Sequence, residues 1–486
     1  MFFNFPVLIQ VVGLNFIILA AAMTPSMVVS ILYGEENTVY AFLAVILTSL
    51  SMGLTVFLTA KPKTKVLRIR DGYLIVALCW VMGSVIGAFP FLLSGAAADF
   101  PTAFFETASG FTTTGSTALP DVEIIPKGIL FWRSFTHWIG GMGILIFAIA
   151  ILPALGIGGQ ELARAEAPGP TLDKVQPKIS DSARLLYLIY TSFTLVEILM
   201  LVFGGMSFFD ACIHTFGSVG TGGFSNYNNS VMHYNNLYFE VVITFFMFLC
   251  GTNFNLHYLL LQKKWNDILH DSEWKGYLLI LGGAIFLITM NLWLTGYYDS
   301  PWQSLRHAMF NSTSVMTTTG FASADFDLWP TASKIILFLL MFAGGCSGST
   351  SGGMKVIRIV VANKLVERGI YRRLHPQAVV PVKLNKENVS SDVVSKITSF
   401  LFLYLMIFFL GTLVLSLENY DLITTASSTL ACISNVGPGF ALTGPMYNFT
   451  IFSDWAKIFL GLLMIVGRLE LFTILILFTP SFWNPK

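Results

Sequence analysis

The 486-residue chain is 55% hydrophobic and only 11% charged, with a formal net charge of +1. Its mean hydropathy of +0.71 exceeds what the core of any soluble domain needs, so the composition is that of a polytopic membrane protein. The near-neutral charge carries no signature of nucleic-acid binding, and the five cysteines form no CxxC pair; they read as small buried hydrophobes, not a disulfide or metal framework.

The start, Met1-Phe2-Phe3-Asn4, lacks a basic leader region and a cleavage site, so the first apolar run is expected to stay as an anchor. Apolar runs long enough to span, about 20 residues each, fall near 7–33, 38–60, 72–94, 129–155, 183–205, 237–262, 275–297, 332–362, 393–417 and 454–478. These predict ten membrane helices. Four shorter, half-polar segments at 101–111, 207–218, 301–316 and 420–433 read as re-entrant helices, because short segments at membrane depth must be buried in protein or line a cavity.

Basic residues set the orientation. Lys61, Lys63, Lys65, Arg68 and Arg70 follow the second predicted span, Arg164, Lys174 and Lys178 the fourth, and Lys263, Lys264 and Lys275 the sixth. Lys355, Arg358, Lys364, Arg368, Arg372, Arg373, Lys383 and Lys386 follow the eighth. With both termini cytoplasmic, all of these lie on the cytoplasmic side. The opposite connections carry Glu35, Glu36, Asp99, Asp121, Glu123, Asp299, Asp325, Asp327 and Asp421, acidic residues that would concentrate cations at an outer entrance.

Each short segment ends in a glycine-centred loop. Thr112-Thr113-Thr114-Gly115 recurs as Thr317-Thr318-Thr319-Gly320, with echoes at Thr221-Gly222-Gly223 and Asn435-Val436-Gly437; the central glycines lie 108, 97 and 117 residues apart. Glycine and threonine let the backbone extend with its carbonyls inward, where they replace the water of a dehydrated cation. The expected fold is therefore an all-α membrane protein. It has a helix pair at 1–70 and four span, pore-helix, loop, span repeats at 71–160, 161–265, 266–375 and 376–486 around one pseudo-fourfold pore. The C-terminal dipole ends of four pore helices would favour a cation in the central cavity.

Residues 343–353 place five glycines and four hydroxyl side chains inside the eighth predicted span, too many for a continuous helix by propensity. The functional reading is a break beneath the filter that occludes the pore, special to the third repeat; the structural alternative is close helix packing through small residues. Arg468, at membrane depth, should face the pore or pair with a carboxylate. A fixed pore charge stands beside an ion pair with Glu470 or snorkelling. Arg133, His137, His214 and His307 read as partners of nearby groups, not ion ligands. Glu197 and Glu240 read as proton carriers or as locally paired acids. Gly345-Cys346-Ser347-Gly348 also fits the GxSG of rhomboid-type intramembrane proteases, with Ser347 as nucleophile and His137 or His257 as base; that reading leaves the four loops unexplained.

The loops, Trp138-Ile139-Gly140-Gly141-Met142-Gly143, Arg164-Ala165-Glu166-Ala167-Pro168-Gly169-Pro170, Gly467-Arg468-Leu469-Glu470 and Phe478-Thr479-Pro480 resemble the TrkH/TrkG subunits of the Trk–Ktr–HKT potassium transporters over essentially the full length. The resemblance implies four repeats of the potassium-channel core in a homodimer of the bacterial inner membrane. It implies a filter lined by the carbonyls of Thr113, Thr114, Gly115, Thr221, Gly222, Gly223, Thr318, Thr319, Gly320, Asn435, Val436 and Gly437. In the family, glycine at all four central positions goes with potassium (and rubidium) transport, and serine in the first loop with sodium permeation. The second loop departs from the common pattern, its extra glycine loosening the strand. The stretch containing Gly344, Gly345, Ser347, Gly348, Ser349, Thr350, Ser351, Gly352 and Gly353 resembles the family's intramembrane loop, which with Arg468 would gate the pore. The family's cytosolic partner is a nucleotide-binding regulatory subunit of TrkA type. This chain has no GxGxxG unit, so no organic cofactor is expected in it. Passive conduction and symport coupled to protons or sodium both remain, with no pair of midplane carboxylates to suggest a second ion site.

Overall fold

A computed structural model describes residues 3–60, 67–143, 179–385 and 387–484. Lys61, Lys63, Lys65, Lys386, the end of the fourth predicted span and the whole 164–178 connection lie outside the described residues.

Uncharged apolar runs become long helices because, away from water, the helix alone satisfies every backbone group within the segment. The chain opens with α1 (Phe5–Leu32) and α2 (Glu36–Thr59). They cross at a glycine pair: a Cβ on Gly13 would stand 3.0 Å from Gly53 O, and one on Gly53 2.9 Å from Gly13 O. Such close backbone approach is what small residues allow between membrane helices.

From here a long helix followed by a short one recurs. First come α3 (Ile69–Leu93), α4 (Phe100–Phe111) and α5 (Lys127–Gly141). Next are α6 (Ile179–Phe203), α7 (Phe208–Val219), α8 (Leu237–Cys250), α9 (Phe254–Leu261) and the short α10 (Trp265–His270). The third set is α11 (Ser272–Leu294), α12 (Pro301–Met316), α13 (Thr331–Ala343) and α14 (Val356–Leu374). A two-stranded antiparallel turn pairs Lys383 with Asn388. The chain ends with α15 (Ser391–Leu415), α16 (Leu422–Ser434), α17 (Asp454–Arg468), α18 (Phe472–Leu475) and α19 (Pro480–Trp483).

The four short segments fold as α4, α7, α12 and α16, each buried over its C-terminal turns. Each begins on a side-chain cap, which satisfies an amide the helix cannot. Asp99 accepts from Thr102 N–H at 2.7 Å, Ser207 from Asp210 at 3.1 Å, Ser300 from Gln303 at 3.3 Å and Asp421 from Thr424 at 2.9 Å. Glu35 likewise accepts from Lys127 and Gly128 at the start of α5. Three of the acids assigned to the outer entrance thus serve as helix caps. The Thr424 hydroxyl and amide hold the Asp421 carboxyl below the usual carboxylate range.

The sixth, eighth and tenth predicted spans are interrupted. Among the described residues, six helices are long and apolar enough to cross a membrane, or eight if each bent pair is one span. The segment at 237–262 bends by 95° between α8 and α9, and 454–478 by 109° between α17 and α18. The segment at 332–362 stops at Ala343 and restarts at Val356. At the first bend the Asn253 side chain caps α9 through Asn255 N–H at 2.9 Å. At the second, Glu470 and Leu471 adopt left-handed backbone, φ 55° and 59°, which no continuing helix accommodates.

Candidate functional site

After each of α4, α7, α12 and α16 the backbone makes the same excursion. Thr113, Thr221, Thr318 and Asn435 are left-handed, with φ of 54°, 54°, 56° and 56°, and the glycine two residues on is left-handed again, Gly115 84°, Gly223 73°, Gly320 84° and Gly437 106°. Thr114, Gly222, Thr319 and Val436 between them are not left-handed. In an ordinary strand successive carbonyls face opposite ways, and alternating the sign of φ turns them toward one side, the arrangement a cation-lining segment needs. A matching hydrogen bond ties each excursion to its helix: Thr114 N–H to Ser109 O at 2.8 Å, Gly222 to Gly217 at 2.7 Å, Thr319 to Ser314 at 2.8 Å and Val436 to Ala431 at 2.9 Å.

The four loops lie against one another in order. An added Cβ on Gly115 would collide with Gly222 O, on Gly223 with Thr319 O, on Gly320 with Val436 O, and on Gly437 it would stand 2.8 Å from Thr114 O. These contacts close a ring. A cavity of about 310 Å³ opens on it and is lined by Gly115, Gly223, Gly320 and Gly437 together. The extra glycine of the second loop has a definite cause: a Cβ on Gly222 would strike the His137 ring. The sequence-based expectation of a loosened strand is therefore corrected to a tightly packed one.

Side chains brace the ring from behind. The Thr112 and Thr114 hydroxyls pair at 2.7 Å and those of Thr317 and Thr319 at 2.8 Å. Asn435 Nδ2 donates to Thr114 Oγ1 at 3.0 Å and Met464 O at 2.9 Å, and Ser116 Oγ to Gly437 O at 2.7 Å. Buried Glu106 accepts from Arg133 Nε at 2.9 Å, Thr117 Oγ1 at 2.6 Å and Ala118 N–H at 2.5 Å, while Arg133 also donates to Ser225 O at 3.0 Å. One ion pair thereby ties the first two loops together. Sequence reading named Arg133 but missed Glu106, whose only signal is a charge within a short apolar segment. His137 meets Gly110 O, His214 meets Asp210 O and Ser225, and His307 meets Ser323.

Next to the ring lies 344–355, which is not helical; close packing of a continuous helix does not describe it. Gly352 N–H donates to Thr318 Oγ1 at 2.7 Å, and Thr350 Oγ1 accepts from Thr221 Oγ1 at 3.1 Å. Cys346 N–H donates to Gly251 O at 2.8 Å and Phe254 N–H to Gly348 O at 3.1 Å, so the segment rests on the α8–α9 bend. A break special to the third repeat is corrected too, since α8–α9 and α17–α18 also break. Arg468 donates to Thr350 O at 2.6 Å, Gly140 O at 2.7 Å and Gly141 O at 2.9 Å. Of the alternatives read for Arg468, the ion pair with Glu470 is not formed: Glu470 instead takes Arg358, at 2.5 Å. Glu240 is paired bidentately with Arg306, at 2.7 and 2.6 Å. Glu197 accepts from Ser218 Oγ at 2.5 Å, and its other oxygen has no partner. His257 is engaged by Thr252 and Leu249 O.

The family described as TrkH, cation transport protein, matches residues 38–484. The Trk system potassium uptake protein TrkH of Halomonas elongata is 38% identical over 480 residues, 98% of this chain and 99% of that one. The Trk system potassium uptake protein TrkG of Escherichia coli K12 is 36% identical over 466 residues, 95% of each. The crystal structure of the potassium transporter TrkH from Vibrio parahaemolyticus superposes with a TM-score of 0.88 at 32% identity, over 99% of this chain and 100% of that one. These are transport proteins, not enzymes, which removes the protease reading of Ser347. Full-length matches in sequence and in structure establish that this chain belongs to the TrkH family of cation transport proteins.

Proposed function

We propose that the protein takes up potassium through a pore lined by the carbonyls of Thr113–Gly115, Thr221–Gly223, Thr318–Gly320 and Asn435–Gly437. Four repeats of span, pore helix, loop and span surround one pseudo-fourfold axis, with α1 and α2 outside them. The observation that carries this reading is the closed ring of four loops sharing one alternation of backbone handedness. Relatives named for potassium uptake support the choice of ion. Glycine at all four central positions keeps the carbonyls close, as a filter that strips an ion of water requires.

Residues 344–353 and Arg468 form the gate on the cytoplasmic side of the ring. The guanidinium joins the segment's Thr350 to Gly140 and Gly141, and places a positive charge next to the ion path. The chain sits in the inner membrane with both termini cytoplasmic. It works as a homodimer and is controlled by a cytosolic nucleotide-binding subunit of TrkA type docked on basic connections such as α14.

The test is cation flux into liposomes that contain only this protein. With an outward potassium gradient alone, rubidium is expected to enter and sodium to be excluded. Flux that appears only with a proton or sodium gradient would overturn passive conduction in favour of symport, and Glu197, the buried acid with an unpartnered oxygen, would be the first residue to replace.

A further inference from the structure

The two limbs of the 344–355 segment run back past one another: Met354 N–H donates to Phe342 O and Val356 N–H to Gly345 O, each at 3.0 Å. A single side chain from another helix reaches both limbs. Glu273, in the first turn of α11, is buried, and its Oε1 accepts from Ser347 N–H at 2.6 Å and from Ile357 N–H at 3.2 Å. Ile357 lies in the first turn of α14, where amides have no acceptor within the helix and the dipole favours negative charge. Ser347 lies on the limb turning into Gly348. Two residues ten apart in sequence are therefore held by one oxygen, and neither limb can swing away without leaving a buried amide unsatisfied.

The surroundings make this contact a fastening and not simple packing. Charged side chains also hold the segment from other points: Arg468 at Thr350 O, Lys355, whose Nζ donates to Ser351 O, and Arg358, whose Nη1 donates to Met354 O at 3.0 Å. Arg358 is in turn held by Glu470 and stacks 3.8 Å from the centre of the Phe400 ring. Among the described residues, Glu273 is the carboxyl group that accepts from the segment's backbone directly.

We propose that Glu273 is the latch that keeps the intramembrane segment closed, a positioning residue for gating that acts through the Ser347 and Ile357 amides. This rests on the reading of 344–353 as the gate. Opening breaks both hydrogen bonds, and the carboxylate, at the cytoplasmic end of α11, takes water in their place.

Wild type, Glu273→Ala, Glu273→Gln and a deletion of residues 348–352 are compared in liposomes for rubidium and sodium flux. Labelling of Cys346 by a water-soluble methanethiosulfonate, located by mass spectrometry, is read in parallel; in the closed segment Cys346 is fully buried. Losing a charged acceptor that serves only the closed form should raise rubidium flux by about tenfold in Glu273→Ala. Glu273→Gln, which keeps an acceptor oxygen, should show a smaller rise. Cys346 labelling should increase in both, with rubidium still preferred over sodium. If the deletion raises flux while both Glu273 variants keep wild-type flux and labelling, the latch is overturned and the gate stands. If the deletion leaves flux unchanged, the gate reading falls and the latch with it. Should Glu273→Ala fail to fold, Glu273→Gln with wild-type flux and labelling overturns the proposal by itself.

Discussion

An added methyl group would clash with a neighbouring carbonyl oxygen at all four central glycines, most severely on Gly115, Gly223 and Gly320 and less severely, at 2.8 Å, on Gly437. All four also need left-handed backbone, which costs a side-chain-bearing residue roughly 1–2 kcal/mol. Gly437→Ala should therefore keep the most rubidium-over-sodium preference and Gly115→Ala, Gly223→Ala and Gly320→Ala the least, as read from paired flux measurements. Equal loss at all four would refute the steric ranking. Glu106 poses a different problem, because its removal strands a buried guanidinium. Glu106→Ala should cost about 3–5 kcal/mol and lower the melting temperature of the purified protein sharply. Arg468 touches three carbonyls on two elements, a geometry that a lysine, with its single point of charge, cannot reproduce. Arg468→Ala should raise basal flux and Arg468→Lys should restore only part of the closure, with ion preference unchanged in both. Wild-type flux in the alanine variant would exclude a gating role.

Among the elements, the short helices and their loops were legible because their physics demands particular residues. Each helix is too short to span and too apolar for a surface loop, and the loop after it needs a left-handed position that selects glycine. The capping oxygens of Asp99, Ser207, Ser300 and Asp421 emerge only in the structure. The bends were not legible. Nothing about Asn253 announces a 95° turn, and Glu470-Leu471 is a pair of ordinary helix formers held left-handed by tertiary packing. Glu273 was equally hidden, since a lone acid at a helix start reads as a dipole partner of its own helix. The cap at Asp421 carries a prediction of its own. Its carboxyl is held below the normal range, so its stabilisation is present at neutral pH and lost as pH falls through the lowered value. Asp421→Ala should cost about 1 kcal/mol at pH 7, and the difference in melting temperature from wild type should shrink on acidification. A constant difference down to low pH would argue against the cap.

For the whole molecule, the proposed control by a cytosolic subunit would act on the surface of α14. Val356 begins it next to the 344–355 segment, and Lys364, Arg368, Arg372 and Arg373 follow along its length. Replacing these four by glutamine should abolish binding of the regulatory subunit in a pull-down and leave the flux of the isolated protein unchanged. Retained binding would move the docking surface elsewhere. The ring of loops has one more implication, for how such a protein evolves. In an assembly of four identical chains a single codon change appears four times at once, and the ion meets an all-or-none alteration. Here the four sides of the ring come from one gene and differ already, Asn435-Val436 standing where two loops have paired threonines. A mutation alters one quarter of the circumference, so in the proposed filter inheritance can adjust ion preference in small, separately selectable steps.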